Sequence, residues 1–347
     1  MYVINAENVN DALDQGLRLI KAEGVAVPSR NGMTLELPAP VTTVYKNPAQ
    51  RVLVSSARDA NPFFHLMESL WILAGREDVK FLGEFNKRMV DFSDDGEVFN
   101  APYGHRMRNH FPSIYHGETT LDQLKTVINI LRSDPNSRQA VVQIWDSKDL
   151  APEINTKDKA CNMSIVFRIR NQRLDMTVYN RSNDMIWGAY GANVVQFSMI
   201  QEYVAASLGV NMGTYSQVSN SFHVYTEGAA GDAYNRTNEG FQGRFNPYES
   251  CECLVTMSHA GMRWFNQDLK QFFKLYDDFG LGEVATVTYW KSAYFEDLVL
   301  PMLRAYVVYK LHGPTRASEY LSFIEADDWR MACATWLETR VTNMGKL

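Results

Sequence analysis

The chain has 347 residues, of which 46% are hydrophobic and 21% charged, an ordinary composition for a soluble globular protein. Its formal net charge of −6 argues against a broad surface for polymeric nucleic acid, because such surfaces neutralise phosphates with lysine and arginine. No stretch reaches the roughly 18 uninterrupted apolar residues of a membrane span, and the first residues lack the pattern of a signal peptide. We therefore expect a cytoplasmic protein with no membrane partner.

The apolar residues of the first 225 positions alternate between helical and strand spacing. Helical spacing covers the segments 10–23, 63–73, 120–132 and 193–208. Strand spacing covers the segments 138–145, 164–170, 173–179 and 215–225. The turn Asn171-Gln172 joins the middle two strands into a hairpin. We therefore predict an α/β (α+β) fold.

The last third of the chain has helical spacing over 264–279, 294–311 and 318–340. No linker rich in proline, glycine or serine separates it from the preceding residues. We expect one domain over 1–240 and a mainly helical C-terminal extension over 241–347 that packs on it.

Glu68 stands in the middle of the strongly apolar segment 63–73. Burying an unpaired carboxylate costs roughly several kcal/mol unless the group is hydrogen-bonded or protonated. We therefore predict a raised pKa for Glu68 and a role in proton transfer. The alternative is that Glu68 lies on a solvent-facing stripe of the helix.

The chain has four cysteines, at positions 161, 251, 253 and 333, with neither a disulfide framework nor the spacing of a zinc site. We predict no metal site. Cys161 precedes a predicted strand, and Arg181 follows the next one. A thiol is a strong nucleophile only as thiolate, and its pKa must be lowered by nearby cationic groups, for which Arg181 is the candidate.

Seven short motifs in register resemble the thymidylate synthase family, which includes the nucleotide hydroxymethylases. They lie at 29–34, 65–71, 101–104, 134–138, around Cys161, at 181–184 and at 222–225. The resemblance covers about Arg30 to Tyr225. It implies a mixed sheet with flanking helices, a catalytic domain over 1–240, and one-carbon transfer to carbon 5 of a pyrimidine nucleoside monophosphate.

The resemblance also implies a role for each matching residue. Cys161 would add to carbon 6 of the pyrimidine, Glu68 and Tyr103 would move protons, and the 5,10-methylenetetrahydrofolate cofactor would supply the carbon. The matching substrate residues are Arg30, Arg181 and Ser182 for the phosphate, His223 and Tyr225 for the sugar, Asn193 for the base, and Asn162 beside the nucleophile. Asp184 and Trp71 would contact the folate. Arg138 would act across the interface of a homodimer.

Several positions depart from the synthase pattern. Ala160 and Asn162 replace the proline and histidine that flank the nucleophile, and Gln139 replaces a second arginine. The segment 87–92 lacks the tryptophan that covers the reactive methylene, and the chain ends in 343–347 without the apolar synthase terminus. A hydroxymethylase must admit water, whereas a synthase excludes it. We therefore favour a relative of the phage-type deoxynucleotide hydroxymethylases over a thymidylate synthase.

The base is less sharply predicted than the reaction. The amide of Asn193 matches the donor and acceptor of uracil, so dUMP is favoured over dCMP. However, the stretch from Gly188 to Asn193 has one residue more than the synthase pattern, which leaves cytosine open. A ribonucleotide substrate also stays open. An alternative of another class is an inactive nucleotide-binding module, which the presence of Cys161 and Glu68 disfavours.

Overall fold

The computed structural model describes residues 1–113, 117–151, 156–240 and 246–344. The C-terminal segment 343–347, which was compared with the synthase terminus, lies only partly within these residues. Gly345, Lys346 and Leu347 are outside the described part of the chain. Within it, no helix is long and apolar enough to cross a membrane.

The described residues form a mixed sheet of eight strands. The strands are β1 (Tyr2–Ala6), β2 (Val25–Ser29), β3 (Gly32–Glu36), β4 (Val41–Tyr45), β5 (Val141–Gln143), β6 (Asn162–Arg170), β7 (Arg173–Asp184) and β8 (Asn211–Tyr225). Their order is β1-β4-β8-β7-β6-β5, and the β2–β3 hairpin pairs with the end of β8. The pairs β1–β4 and β7–β8 are parallel and the others antiparallel. The predicted mixed α/β fold is confirmed.

The predicted hairpin is formed by β6 and β7, with Arg170 opposite Arg173. Asn171 and Gln172 have φ of 50° and 58°, the left-handed pair that a two-residue turn with the twist of the strands requires. β7 runs five residues beyond the predicted end at Tyr179, to Asp184. This extension carries Arg181 along the sheet beside the Cys161 segment, where the Arg181 amide donates to the Cys161 carbonyl at 3.0 Å.

Twelve α-helices occur among the described residues. They are α1 (Val9–Glu23), α2 (Pro62–Leu73), α3 (Val79–Phe85), α4 (Tyr103–His105), α5 (Gln123–Ser133), α6 (Asn193–Leu208), α7 (Gly228–Gly240), α8 (Met262–Phe279), α9 (Leu281–Thr286), α10 (Leu300–His312), α11 (Pro314–Ser318) and α12 (Asp327–Met344). The helices predicted over 10–23, 63–73, 193–208 and 264–279 are confirmed within two residues at each end. The strand predicted over 138–145 is shorter, since only Val141–Gln143 pairs with β6.

The two faces of the sheet differ in burial. A row of paired residues across six strands is wholly buried: Ile4, Thr43, Gln217, Val178, Ile165 and Val142. Neighbours of this row on the opposite face, such as Val3 and Tyr179, are 57% and 40% exposed. Within the described chain, helices therefore cover one face of the sheet and leave the other uncovered.

The helix predicted over 318–340 is wrong in its first part. The chain leaves α11 at Ser318 and enters α12 only at Asp327. Between them, Ile324 has extended backbone and is fully buried. The amides of Glu325 and Asp327 donate to Asp297 and Cys253 carbonyls at 3.1 and 3.0 Å. These distant partners compensate for the lost helical hydrogen bonds.

The C-terminal helices pack against α2 and the residues that follow it. The Phe63 ring of α2 lies 5.3 Å from Tyr306 of α10 and 5.5 Å from Trp336 of α12, measured between ring centroids. Arg76 makes two hydrogen bonds to Asp277 of α8, at 2.9 and 2.8 Å. The helices α10 and α12 therefore bury part of the surface of α2.

Candidate active site

One cavity of about 1120 Å³ opens where β7 and β8 end, beside α2 and the start of α6. Eleven of the thirteen predicted site residues line it: Arg30, Glu68, Trp71, Tyr103, Cys161, Arg181, Ser182, Asp184, Asn193, His223 and Tyr225. Ligand sites for one drug-sized molecule usually measure roughly 300–1,000 Å³. The volume therefore leaves room for a second ligand beside a nucleotide.

Arg181 is fixed against the segment that carries Cys161. Its Nε donates to the Ala160 carbonyl at 2.9 Å and its Nη2 to the Lys159 carbonyl at 3.2 Å. The same Nη2 lies 3.9 Å from the Cys161 Sγ. The guanidinium stands over the Trp145 ring, 5.4 Å from its centroid. These contacts hold a permanent positive charge beside the thiol.

The pKa of the Cys161 thiol is nevertheless raised above its ordinary value. Burial is the largest cause, because it disfavours the thiolate, and Asp158 adds to the effect. Arg181 and Arg30 lower the pKa, as their charges should, but do not outweigh burial. The predicted direction of the Arg181 effect is therefore correct, while the net shift of the protein alone is upward.

Glu68 lies in the middle of α2 and is buried, as predicted. Burial raises the pKa of its carboxyl to about 7, and a hydrogen bond with Gln196 opposes the rise. Its Oε2 has no hydrogen-bond partner among the described residues. A carboxyl that titrates near neutral pH can both give and take a proton.

Tyr103 begins α4 beside the nucleophile. Burial raises the pKa of its hydroxyl well above the ordinary range, and the nearby Cys161 adds to this effect. A hydrogen bond with the Cys161 backbone acts in the opposite direction. The hydroxyl therefore stays protonated at neutral pH and can donate a hydrogen bond.

The segment Met185–Ala192 is π-helical but kinked at Gly191, whose φ of −105° and ψ of −106° are not helical, and α6 follows it. A π-turn closes over one residue more than an α-turn, and this segment contains the stretch that has one residue more than the synthase pattern. Asn193 remains in the cavity wall as the first residue of α6. Its Nδ2 donates to the Asn183 Oδ1 at 3.2 Å.

The predicted phosphate residues converge from two elements. Arg30 occupies the turn between β2 and β3, where the Ser29 hydroxyl donates to the Gly32 carbonyl at 2.6 Å. Gly32 has φ of 107°, which a residue with a side chain rarely adopts. Ser182 lies on β7, one residue from Arg181.

His223 and Tyr225 lie on the same side of β8, with ring centroids 5.4 Å apart in an edge-on arrangement. The Nδ1 of His223 is 3.2 Å from the Ser221 hydroxyl.

Asp184 ends β7, and its Oδ1 accepts from the Trp187 amide at 2.5 Å. Asp184 therefore caps the π-helix as well as lining the cavity. The Trp71 indole nitrogen donates to the Asp78 carboxylate at 3.1 Å.

Two predicted residues do not reach the cavity in this chain. Arg138 is exposed and lies outside the cavity lining. Asn162 is fully buried, and its Nδ2 donates to the Asn180 Oδ1. The strand that begins at Asn162 turns this side chain toward β7, away from the cavity.

Residues that were not predicted also line the cavity. Trp187 is 45% exposed there, and the Arg58 guanidinium lies 4.4 Å from its ring centroid. Met89 and Phe92 occupy the wall in the segment that lacks the synthase tryptophan. Trp187 follows Asp184 by three residues, but this spacing predicts a place in the cavity wall only if the π-helical segment is already known.

The thymidylate synthase family model matches residues 14–243. A deoxyuridylate hydroxymethyltransferase of Pseudomonas phage M6 is 41% identical over 353 aligned residues, covering 98% of this chain and 95% of that protein. Proteins of the same name from Bacillus phage SP01 and Delftia phage PhiW-14 are 44% and 31% identical, covering 65% and 64% of this chain. The chain spans 60% and 62% of their lengths.

Proposed function

Since the chain belongs to the thymidylate synthase family, we propose that it transfers a hydroxymethyl group to carbon 5 of dUMP with a folate as carbon donor. The observation that carries the proposal is one cavity lined by Cys161, Arg181, Glu68 and Asn193. The similarity to deoxyuridylate hydroxymethyltransferases, one of them aligned over 98% of this chain, favours hydroxymethylation of uracil over reductive methylation.

The phosphate of dUMP binds Arg30, Arg181 and Ser182, since guanidinium groups pair well with phosphate oxygens. His223 and Tyr225 contact the sugar. The dianionic phosphate then lies near Arg181 and partly neutralises the charge of its guanidinium group. The remaining guanidinium donors stay directed at the Cys161 segment, where they stabilise negative charge on sulfur.

Cys161 adds as thiolate to carbon 6 of uracil, forming a carbon–sulfur bond and placing electron density on carbon 5 and oxygen 4. Glu68 and Tyr103 supply a proton and a hydrogen bond to the charge that develops on the ring. Carbon 5 bonds to the one-carbon unit and then loses its proton to a base in the wall. The bond between the transferred carbon and the folate nitrogen would then break, which releases tetrahydrofolate and leaves a methylene group on carbon 5. Water would add to that methylene as the Cys161 thiolate leaves carbon 6, which restores the ring double bond and frees the enzyme.

The proposed donor is 5,10-methylenetetrahydrofolate, which supplies a carbon at the oxidation level of formaldehyde. The cavity fits a folate beside the nucleotide in volume and in chemistry, because Trp71, Trp187 and Phe92 present aromatic surface and Asp184 presents a carboxylate. We assign these residues to the folate side of the cavity.

Water must reach the methylene group on carbon 5 in a hydroxymethylase, whereas hydride must reach it in a synthase. Met89 and Phe92 stand in the wall of the segment 87–92. Phe92 is 51% exposed, so this side of the cavity is open to solvent. The balanced reaction is dUMP, methylenetetrahydrofolate and water giving 5-hydroxymethyl-dUMP and tetrahydrofolate.

We also propose that the active form is a homodimer in which Arg138 completes the phosphate site of the partner subunit. The exposed Arg138 and the uncovered sheet face, with Val3, Val141 and Tyr179 exposed, support this assembly. An exposed apolar surface of this kind is typical of a protein interface.

We assign the catalytic domain to 1–240 and the packed extension to 241–347. A nucleophilic thiol suits the reducing cytoplasm.

Incubating the protein with methylenetetrahydrofolate and dUMP, dCMP or CMP tests the proposal. We expect a 5-hydroxymethyl product from dUMP, identified by mass, with no rise in dihydrofolate absorbance. Stoichiometric dihydrofolate and a 5-methyl product would instead identify a thymidylate synthase. Nucleotide binding without product would identify an inactive binding module.

A further inference from the structure

The Asn193 amide matches uracil in one of its two orientations and cytosine in the other. Uracil presents a donor at N3 and an acceptor at position 4, whereas cytosine presents an acceptor at N3 and a donor at position 4. An amide that turns by half a rotation about its last side-chain bond exchanges its own donor and acceptor. Asn193 therefore reads the base only if a neighbour fixes the orientation of its amide.

Asn183 is placed to fix that orientation. Its Oδ1 accepts from the Asn193 Nδ2 at 3.2 Å, and its own Nδ2 donates to the Ser219 hydroxyl at 3.0 Å. Asn183 and Ser219 are 2% and 1% exposed, and Asn193 is 8% exposed. This series of hydrogen bonds therefore runs from Ser219 in the interior of the sheet, through Asn183, to Asn193 in the cavity wall.

Gly188 keeps space open for this contact. A Cβ atom at Gly188 would lie 2.8 Å from the Asn183 Oδ1 and 3.3 Å from the Asn193 Nδ2. The first distance is shorter than real Cβ atoms show, and the second is a tight contact. The π-helical segment therefore brings a glycine next to the two amides, and a Cβ atom there would force the Asn183 amide to shift.

We propose that Asn183 is a positioning residue that sets the base specificity of the site. By accepting from the Asn193 nitrogen, it directs the Asn193 oxygen to the N3 proton of uracil and leaves one N–H for oxygen 4. A cytosine in the same place would oppose acceptor to acceptor and donor to donor. The inference rests on the proposed function, in which Asn193 contacts the base.

Substitution of Asn183 in the full-length protein tests the inference by calorimetric binding of dUMP and dCMP. Asn183→Leu frees the Asn193 amide, and we expect the preference for dUMP over dCMP to fall about tenfold. Asn183→Asp keeps an acceptor that both neighbours can donate to, so it should retain the preference. An unchanged preference in Asn183→Leu, or its loss in Asn183→Asp, would overturn the inference.

Asn180→Leu is the matched control, because Asn180 is a buried amide of the same strand that bonds to Asn162 outside the cavity. It should lower the melting temperature without changing the base preference. If Asn183→Leu fails to fold, Ser219→Ala removes the anchor of Asn183, and an unchanged preference there would also overturn the inference. Failure of the wild-type protein to bind dUMP would count against the proposed function rather than against Asn183.

Discussion

The Nη2 of Arg181 lies 3.9 Å from the Sγ of Cys161, yet the pKa of the thiol is raised. Burial disfavours the thiolate more than the guanidinium favours it, so the thiol depends on Arg181 to keep its pKa from rising further.

Replacing Arg181 with alanine should raise the thiol pKa and weaken dUMP binding together. Loss of a charge-assisted contact to phosphate costs about 2 kcal/mol, or roughly 30-fold in affinity. The rate of Cys161 alkylation measured against pH should shift to higher pH. Arg181→Lys, which keeps the charge, is the control and should shift less. An unchanged alkylation profile in Arg181→Ala would contradict the electrostatic role.

Cys161→Ser should lower turnover by roughly three orders of magnitude or more, because the hydroxyl is a far weaker nucleophile at neutral pH. The phosphate and sugar contacts do not use the sulfur, so dUMP affinity should change little. Single-turnover kinetics and calorimetry measure the two effects. Cys253→Ser is the control, since Cys253 is exposed and lies outside the cavity lining. Near-normal turnover in Cys161→Ser would remove the nucleophile assignment.

Glu68 should make stability fall as pH rises. Its carboxyl has an ordinary pKa of 4.5 and a folded pKa of about 7. Between these values the unfolded chain has released the proton and the folded protein retains it, so rising pH favours unfolding. The shift corresponds to a loss of at most about 3 kcal/mol, complete above pH 7.

Glu68→Gln should therefore match the wild type in urea unfolding near pH 4.5 and exceed it in stability near pH 8. The same variant should lose turnover while keeping dUMP affinity, because the amide cannot transfer a proton. Equal pH dependence of stability in the two proteins would show that the Glu68 carboxyl ionises normally in the folded state.

Trp187→Ala should raise the KM for the folate about tenfold and leave the Kd for dUMP nearly unchanged. The ring is exposed in the cavity wall and stacks on Arg58, so it offers a rigid surface to a second aromatic ligand. Trp264→Ala, at an exposed tryptophan outside the cavity lining, is the control. A larger effect on dUMP than on folate would place Trp187 on the nucleotide side instead.

Mixing inactive Arg138→Ala and Cys161→Ser subunits should restore part of the activity. In a dimer that shares Arg138 across its interface, one of the two sites in the mixed dimer has both an intact nucleophile and an intact partner arginine. Sedimentation should show a dimer for each variant alone. An active monomer, or no recovery on mixing although mixed dimers form, would refute the shared site.

Local patterns were sufficient for much of this fold. The turn Asn171-Gln172 and the alternation around it predicted the hairpin, because turn conformation and strand pairing are set by residues close in the chain. The helix at 193–208 was predicted residue for residue. The burial of Glu68 was also readable, since apolar residues surround it on every side of one short helix.

Contacts between distant segments decided the rest. The predicted helix at 318–340 breaks because Ile324 is buried and Asp327 bonds to Cys253, 74 residues earlier.

Asn162 turns away from the cavity because its partner is Asn180 on the next strand. The Cys161 pKa depends on burial and on charges from distant parts of the chain, such as Arg30 and Arg181. The orientation of Asn193 depends on Asn183 and Ser219, which the parallel pairing of β7 and β8 brings together. Spacing along the chain encodes helices, strands and the buried face of one helix, but hydrogen-bond partners that lie far apart in the chain are set only when the packed elements exclude water.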